Sequence, residues 1–266
     1  MKVGFIGCGN MGGAILGGAV GSGFLQAENT FVSDPSEAAV KRCAQQYGVT
    51  PAADNVSLAQ AVDLVILCVK PIYLRAVIEE IAPHLAGKAA LSIAAGWTFQ
   101  KLRDAFAPYT PALMRVMPNT PALVGAGYTA ICEETTFPPA LQSFALSLFQ
   151  TLGIARVLPE RLFDGVVAAS GSSPAYLFMV LEAMGDGAVR EGVPRALAYE
   201  MAAQAMLGSA KMLLETKKHP GELKDMVCSP AGTTIEAVAA LEAGGLRACL
   251  MDAMQACADK CREMNQ

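Results

Sequence analysis

The residues with the clearest chemical use come first in the chain. Gly7-Cys8-Gly9-Asn10-Met11-Gly12 follows the apolar run Val3–Gly7 and opens a glycine-rich stretch from Met11 to Gly23 with helical character. In this G-x-G-x-x-G spacing each glycine has its own task. Gly7 permits a tight turn, Gly9 lets backbone approach a pyrophosphate, and Gly12 lets helix and strand pack closely. The start of the helix then offers free N–H groups and the positive end of its dipole to phosphates. Gly13, Gly17 and Gly21, four residues apart, suit a helix contact instead. Ser33-Asp34-Pro35-Ser36 ends a second strand, where an acid accepts from ribose hydroxyls and favours NAD. Ser33, Ser36 and the basic pair Lys41-Arg42 suit a 2′-phosphate, and a cap on the next helix is a further use of Asp34.

A nicotinamide enzyme that acts on a ketone or alcohol needs a proton donor, often His, Lys or Tyr. The two histidines, His84 and His219, lie in unrelated surroundings. Lys70 follows the central strand at the crevice where such sheets bind ligands, so it reads as an acid or as a cofactor-facing or structural lysine. A substrate that arrives protonated, as an imine does far more readily than a ketone, needs no donor. A second constellation is Val227-Cys-Ser229-Pro-Ala-Gly232-Thr233-Thr234-Ile-Glu236. Thr233-x-x-Glu236 has capping-box spacing, and N–H groups at such a helix start suit a small carboxylate. Thr234 adds a hydroxyl that can donate or accept. An ordinary capped helix is the alternative.

These residues need a scaffold, and the first half supplies an alternating one. Val3–Gly7, Thr30–Ser33, Asp63–Val69, Ala89–Ala94, Leu113–Met117, Tyr128–Cys132 and Ile154–Leu158 read as strands, with helices over Met11–Gly23 and Ser36–Tyr47. Asp63–Val69 is continuously apolar and reads as a central strand buried on both faces. The alternation predicts a doubly wound, largely parallel sheet over 1–158. From Glu160 the pattern is helical only. Helices are expected over Ser173–Glu191, Arg195–Thr216, Thr234–Glu242 and Gly245–Glu263, with breaks at Gly192-Val-Pro194 and His219-Pro-Gly221. Gly165–Leu181 and Met201–Ala210 carry no charge, and helices apolar on nearly every face need burial on every face. A unit of this size cannot supply that, which implies a partner subunit.

The composition narrows the class. With 266 residues, two domains are expected; hydrophobic residues are 53% and charged residues 17%, too apolar for a disordered chain. Net charge is −4, which argues against a nucleic-acid footprint. Val3–Ala27 lacks charge behind Lys2, yet nine of its residues are glycine, a density that weakens a signal or membrane helix. Ala61–Val69 and Gly165–Leu181 read as too short to span, or as interrupted by a polar residue. The eight cysteines form no CxxC pair. Cys257 and Cys261, one turn apart, read as packed side chains, and no metal site is expected. Scattered thiols without a secretory signal fit a reducing compartment, so the expected location is cytoplasmic.

Taken together, the segments GFIGCGNMG at the start, LCVKP at 67–71, SIAAGWT at 92–98, MPNTP at 117–121, SGSSPAY at 170–176, AAQAMLGSAKMLLE at 202–215, HPGELKDMVCSPAGTTIEAVAALE at 219–242 and GGLRACL at 244–250 resemble the pyrroline-5-carboxylate reductase family. They occur in order over nearly the whole chain. A related 3-hydroxy acid dehydrogenase family shares the start but has Asn four residues after a helix lysine, where Glu215 follows Lys211. The resemblance implies an N-terminal Rossmann-like domain, 1–158, and an all-α substrate and dimerisation domain, 159–266. It implies hydride transfer from the nicotinamide to the cyclic imine of pyrroline-5-carboxylate, giving proline. It places Gly9, Asn10, Met11, Asp34, Asn55, Val69, Lys70, Pro71 and Ala95 along the cofactor. Ser229, Gly232, Thr233 and Thr234 fall at the substrate carboxylate, with the Thr234 hydroxyl near the ring nitrogen as the catalytic group. It implies NADPH, with NADH admitted, and a homodimer that in the family often assembles into decamers. Ser173 and Ala231 stand where the family commonly has glycine. A nucleotide-sensing protein without turnover is the competing class, and it would have no need of SPAGTTIE.

Overall fold

The computed structural model describes residues 1–265. In chain order the elements are β1 (Val3–Ile6), α1 (Asn10–Gly21), β2 (Thr30–Ser33), α2 (Glu37–Tyr47), β3 (Thr50–Pro51), α3 (Asn55–Ala61), β4 (Leu64–Leu67), α4 (Pro71–Ile81), β5 (Ala89–Ser92), α5 (Phe99–Phe106), β6 (Ala112–Met117), β7 (Gly127–Thr135), α6 (Pro139–Gln150) and β8 (Gly153–Leu158). They build one eight-stranded sheet in the order β3-β2-β1-β4-β5-β6-β7-β8. Every pairing is parallel except β6 with β7, whose ladder also carries a register irregularity between Met114 and Val116. The chain steps outward from β1 to β3 and then restarts at β4 on the other side of β1. That reversal leaves a crevice beyond the carboxyl ends of β1 and β4.

Alternation along the strands fills both faces of the sheet. Val3, Phe5, Leu64 and Ile66 pack into one apolar layer, and Ile6, Val65 and Leu67 into the other. The charge-free N-terminal stretch is therefore β1 and α1 of a packed core. Gly18 sits where a Cβ would come within 2.0 Å of the Leu152 side chain, which is why α1 can lie so close to its neighbours.

After β8 the chain is helical throughout its described residues: α7 (Phe163–Val166), a π-turn over Val167–Gly171, α8 (Ser173–Arg190), α9 (Arg195–Thr216), α10 (Pro220–Val227), α11 (Thr233–Ala243) and α12 (Leu246–Asn265). The helix α10 lies where His219-Pro-Gly221 reads as a break. Proline lacks only an N–H that the first turn leaves free anyway, and Pro220 takes that first position. One compact unit comprises Met1–Ser172 with the C-terminal segment from Cys257, and the other Ser173–Ala256. The strand pattern ends at Leu158, but the first unit continues through α7 and the π-turn because Phe163 and Ala168 are buried in it. The C-terminal segment belongs to it through Asn265, whose Nδ2 donates to Asp164 at 2.8 Å, and Cys257, whose Sγ lies 3.3 Å from Ser172 Oγ.

The second unit has almost no core of its own. The only buried side chains of α8 and α9 are Pro174, Ala198 and Ala202, with Gly185, and α10 and α11 bury none. Phe178 is 67% exposed and Met179 is 70% exposed. The stretch expected to be too short for a membrane is in fact part of a helical run over 160–190 that is long and apolar enough to cross one. The π-turn and the caps join what the sequence pattern separates. Much of its apolar surface is left exposed within the single chain.

Candidate active site

The glycine turn forms as its spacing requires. Gly7 has φ +105°, and a Cβ there would stand 2.7 Å from the Cys68 carbonyl oxygen. At Gly12 a Cβ would stand 2.0 Å from the Gly7 carbonyl oxygen, so this glycine holds helix against strand. At Gly9 a Cβ would meet nothing within 4 Å, so that backbone faces open space. Gly9 is the N-cap of α1, no side chain caps it, and no acid lies in the first turn. The first N–H groups of a twelve-residue helix are thus left for an anion.

A cleft of about 400 Å³ opens beside the turn. Gly9, Asn10, Met11, Val69, Lys70, Pro71 and Ala95 line it together, while Gly7 and Gly12 stand behind as packing elements. Lys70 is exposed as the N-cap of α4, whose first residue is Pro71. Trp97 Nε1 donates to the Pro71 carbonyl at 3.2 Å and ties the loop after β5 to that helix start. Asp34 and Asn55 are not among the residues lining the cleft. Asp34 accepts from the amides of Cys8 at 2.7 Å and Ser36 at 2.8 Å. It does not cap α2; Ser36 does, accepting from Ala39. Asn55 accepts from Ser33 Oγ and donates to Glu80, both at 2.8 Å. Arg42 Nη2 donates to the Cys8 carbonyl at 2.9 Å, which brings a guanidinium to the same turn. Burial, with Cys43 beside it, pushes the Cys8 thiol up to about 12, so this turn residue stays neutral.

The far wall of the cleft comes from residues that the motif reading leaves without a role: Ile93, Met117, Pro118, Asn119, Thr120 and Gly171. The signal available for them is MPNTP itself, placed at the carboxyl end of β6. These features fit a dinucleotide, with bare backbone facing the open space, an uncapped helix start and a cation at the rim.

In the helical unit, Ser229, Gly232, Thr233 and Thr234 lie at the start of α11. The expected capping box is not formed. Gly232 is the N-cap with no side-chain cap, so Thr233 takes the first helical position and Glu236 the fourth, one step out of register. The first turn keeps its amides uncapped, as an anion requires. Ala231 has φ +56°, a left-handed conformation that explains why glycine is common there. A Cβ on Gly232 would stand 2.2 Å from Ser229 Oγ, so a larger residue there would force that hydroxyl to move. Lys211 and Glu215 form an exposed pair at 3.7 Å on α9.

A doubly wound sheet with this turn and cleft, joined to a helical unit whose α11 starts uncapped, defines an NAD(P)-dependent oxidoreductase with a Rossmann-like N-terminal domain. The family described as pyrroline-5-carboxylate reductase dimerisation matches residues 160–264, and that described as NADP oxidoreductase, coenzyme F420-dependent, matches residues 2–96. The pyrroline-5-carboxylate reductase of Escherichia coli is 46% identical over 266 residues, covering 100% of this chain and 98% of that protein. That of Methanosarcina acetivorans is 41% identical with the same coverage. A crystal structure of the Plasmodium falciparum pyrroline carboxylate reductase with NADP bound superposes with a TM-score of 0.92 at 29% identity, covering 100% of this chain and 98% of that one. The chain belongs to the pyrroline-5-carboxylate reductase family, and its helical part is that family's dimerisation domain. That match supports self-association of this chain.

Proposed function

We propose that this protein reduces 1-pyrroline-5-carboxylate to L-proline with NADPH, as the last step of proline biosynthesis in the cytoplasm, and that NADH can substitute. The observation that carries the reading is the full-length match to reductases of this name, which takes in both the glycine turn and the SPAGTT turn. Bound in the cleft, the reduced nicotinamide supplies a hydride to the imine carbon. The amides at the start of α1 hold the pyrophosphate, and Lys70, Val69, Pro71 and Ala95 form the adjoining wall. Asp34 and Asn55 organise the adenosine end, where Arg42 is the available cation for a 2′-phosphate. The uncapped amides of α11, with Ser229, Gly232 and Thr233, bind the substrate carboxylate. Thr234 places its hydroxyl at the ring nitrogen, where it can hydrogen-bond the imine and the amine formed from it. The imine nitrogen is basic enough to arrive protonated, so no buried acid is required. The domains divide this work, with 1–158 holding the cofactor and 159–266 the substrate and the dimer interface.

The test is oxidation of NADPH and of NADH with pyrroline-5-carboxylate, run side by side. Turnover with proline as product supports the reading. A protein that oxidises neither cofactor overturns it.

A further inference from the structure

Asn119 is 8% exposed, and both ends of its side chain are bonded. Nδ2 donates to the Ser170 carbonyl at 3.1 Å and to Ser170 Oγ at 3.0 Å, and Oδ1 accepts from the Tyr128 amide at 2.8 Å. The residue is the N-cap of a short 3-10 turn, Thr120–Val124, yet its side chain caps nothing there. It is drawn instead to the π-turn Val167–Gly171. The reason lies four residues beyond Ser170, at Pro174. Proline has no N–H to give the carbonyl four residues earlier, and its ring clashes with that carbonyl in a regular helix. The chain widens, the Ser172 amide bonds back to the Val167 carbonyl at 2.8 Å, and the Ser170 carbonyl is left for a donor from elsewhere. Asn119 supplies that donor.

The neighbours of both partners line the dinucleotide cleft, Pro118 and Thr120 from the end of β6 and Gly171 from the π-turn. A Cβ on Gly171 would stand 3.1 Å from Met117 Cε, so the π-turn and the end of β6 already pack closely. We propose that Asn119 is a positioning residue for the cofactor. By replacing the N–H that Pro174 lacks, it locks the π-turn to the end of β6 and fixes the shape of that side of the cleft. The inference rests on the dinucleotide reading of that cleft.

The test uses Asn119→Asp, Pro174→Ala and their combination in the full-length enzyme. Asn119→Asp keeps the acceptor for Tyr128, but its carboxylate cannot donate to Ser170. At pH 8 it should raise the NADPH KM and Kd about tenfold with kcat within about twofold. Binding should recover as pH falls and the buried acid regains a proton, returning a donor. Pro174→Ala restores a backbone N–H, so Asn119→Asp should cost much less in that background. An unchanged KM and Kd at pH 8, a loss that ignores pH, or a loss equal in both backgrounds overturns the proposal. So does a fall in melting temperature with no change in Kd. A wild-type protein that binds no NADPH overturns both this inference and the cofactor reading; wild-type binding with unchanged variants overturns this inference alone.

Discussion

The Asp34 carboxylate accepts from the Cys8 amide at 2.7 Å, fastening the end of the second strand to the middle of the glycine turn. Its other oxygen takes the Ser36 amide at 2.8 Å. Asp34, the acid proposed for the ribose, is therefore bound to its own backbone, while Arg42 reaches the Cys8 carbonyl from an exposed helix face. A guanidinium there can read a 2′-phosphate without being blocked by the carboxylate. Arg42→Ala should raise the NADPH KM about tenfold and leave that for NADH within about threefold, one charge-assisted hydrogen bond being the difference. Equal effects on the two cofactors would remove Arg42 from phosphate recognition.

Two glycines of one motif should fail in different ways. Gly9→Val puts its side chain into open space, so the protein should keep its melting temperature but bind NADPH at least tenfold more weakly, by crowding the pyrophosphate. Gly12→Val drives a side chain into the Gly7 carbonyl and should lower stability by several kcal/mol or prevent folding. Calorimetry and cofactor titration on both variants separate the roles. A Gly9→Val protein with normal affinity would contradict the assignment of the turn.

Much of this was legible in the sequence where one local pattern decided the outcome. The strand Thr30–Ser33 stands where its β-branched run puts it, and Leu64–Leu67 is central because every residue in it is apolar. The helix α3 was not legible. Seven residues held by a cap between Asp54 and Ser57 carry too little periodicity. Neither was the reversed β6–β7 pairing, because strand direction depends on the path of the connection between them. The Thr233–Glu236 spacing misled because Gly232 takes the extended cap position itself. Asn119 escaped notice because its partner lies 51 residues away and is exposed by a proline four residues further on.

Arg115 is 2% exposed, donates to Glu160 at 2.5 Å and stacks on Phe163 at 4.5 Å from the ring centre. Glu160 Oε1 also accepts the Phe99 amide at 2.6 Å, so one carboxylate ties β6, α5 and the chain after β8 together. Glu160→Ala would leave a buried guanidinium uncompensated and should cost about 3–5 kcal/mol. Glu37→Ala, which breaks the exposed pair with Lys41 at 3.6 Å, should cost less than about 0.5 kcal/mol. Denaturant unfolding of the two variants gives the comparison, and similar costs would deny the hub role of Glu160.

Burial pushes the thiols of Cys8, Cys132 and Cys261 up to about 12 from the ordinary 9.0, and raises Cys68 as well. These groups stay protonated in the folded chain while their unfolded counterparts ionise near pH 9. Their contribution is complete below pH 9 and is lost as pH rises toward 12, so stability should fall steeply over that window. Unfolding followed between pH 8 and 11 should show it, and Cys132→Ala should flatten the slope. The buried thiols of Cys8, Cys132 and Cys261 should resist iodoacetamide at pH 8 in the native protein while exposed Cys249 reacts faster. Rapid native labelling of all eight would contradict this.

Thr234 is the second helical residue of α11 and half-buried, whereas Thr233 is exposed. Both backbone amides remain after substitution, so the carboxylate site should survive in Thr234→Ala. What disappears is the hydroxyl assigned to the ring nitrogen. One hydrogen bond to a group that changes charge during reduction is worth about 2–4 kcal/mol, so kcat should fall by about 30- to 1,000-fold. The NADPH Kd should not move, because the cofactor turn belongs to the other unit. Thr234→Ser retains the hydroxyl and should recover most of the rate, whereas Thr233→Ala should change kcat by less than about threefold. A Thr234→Ala enzyme with unaltered kcat would take this residue out of the chemistry and leave the helix amides as the functional part of the turn.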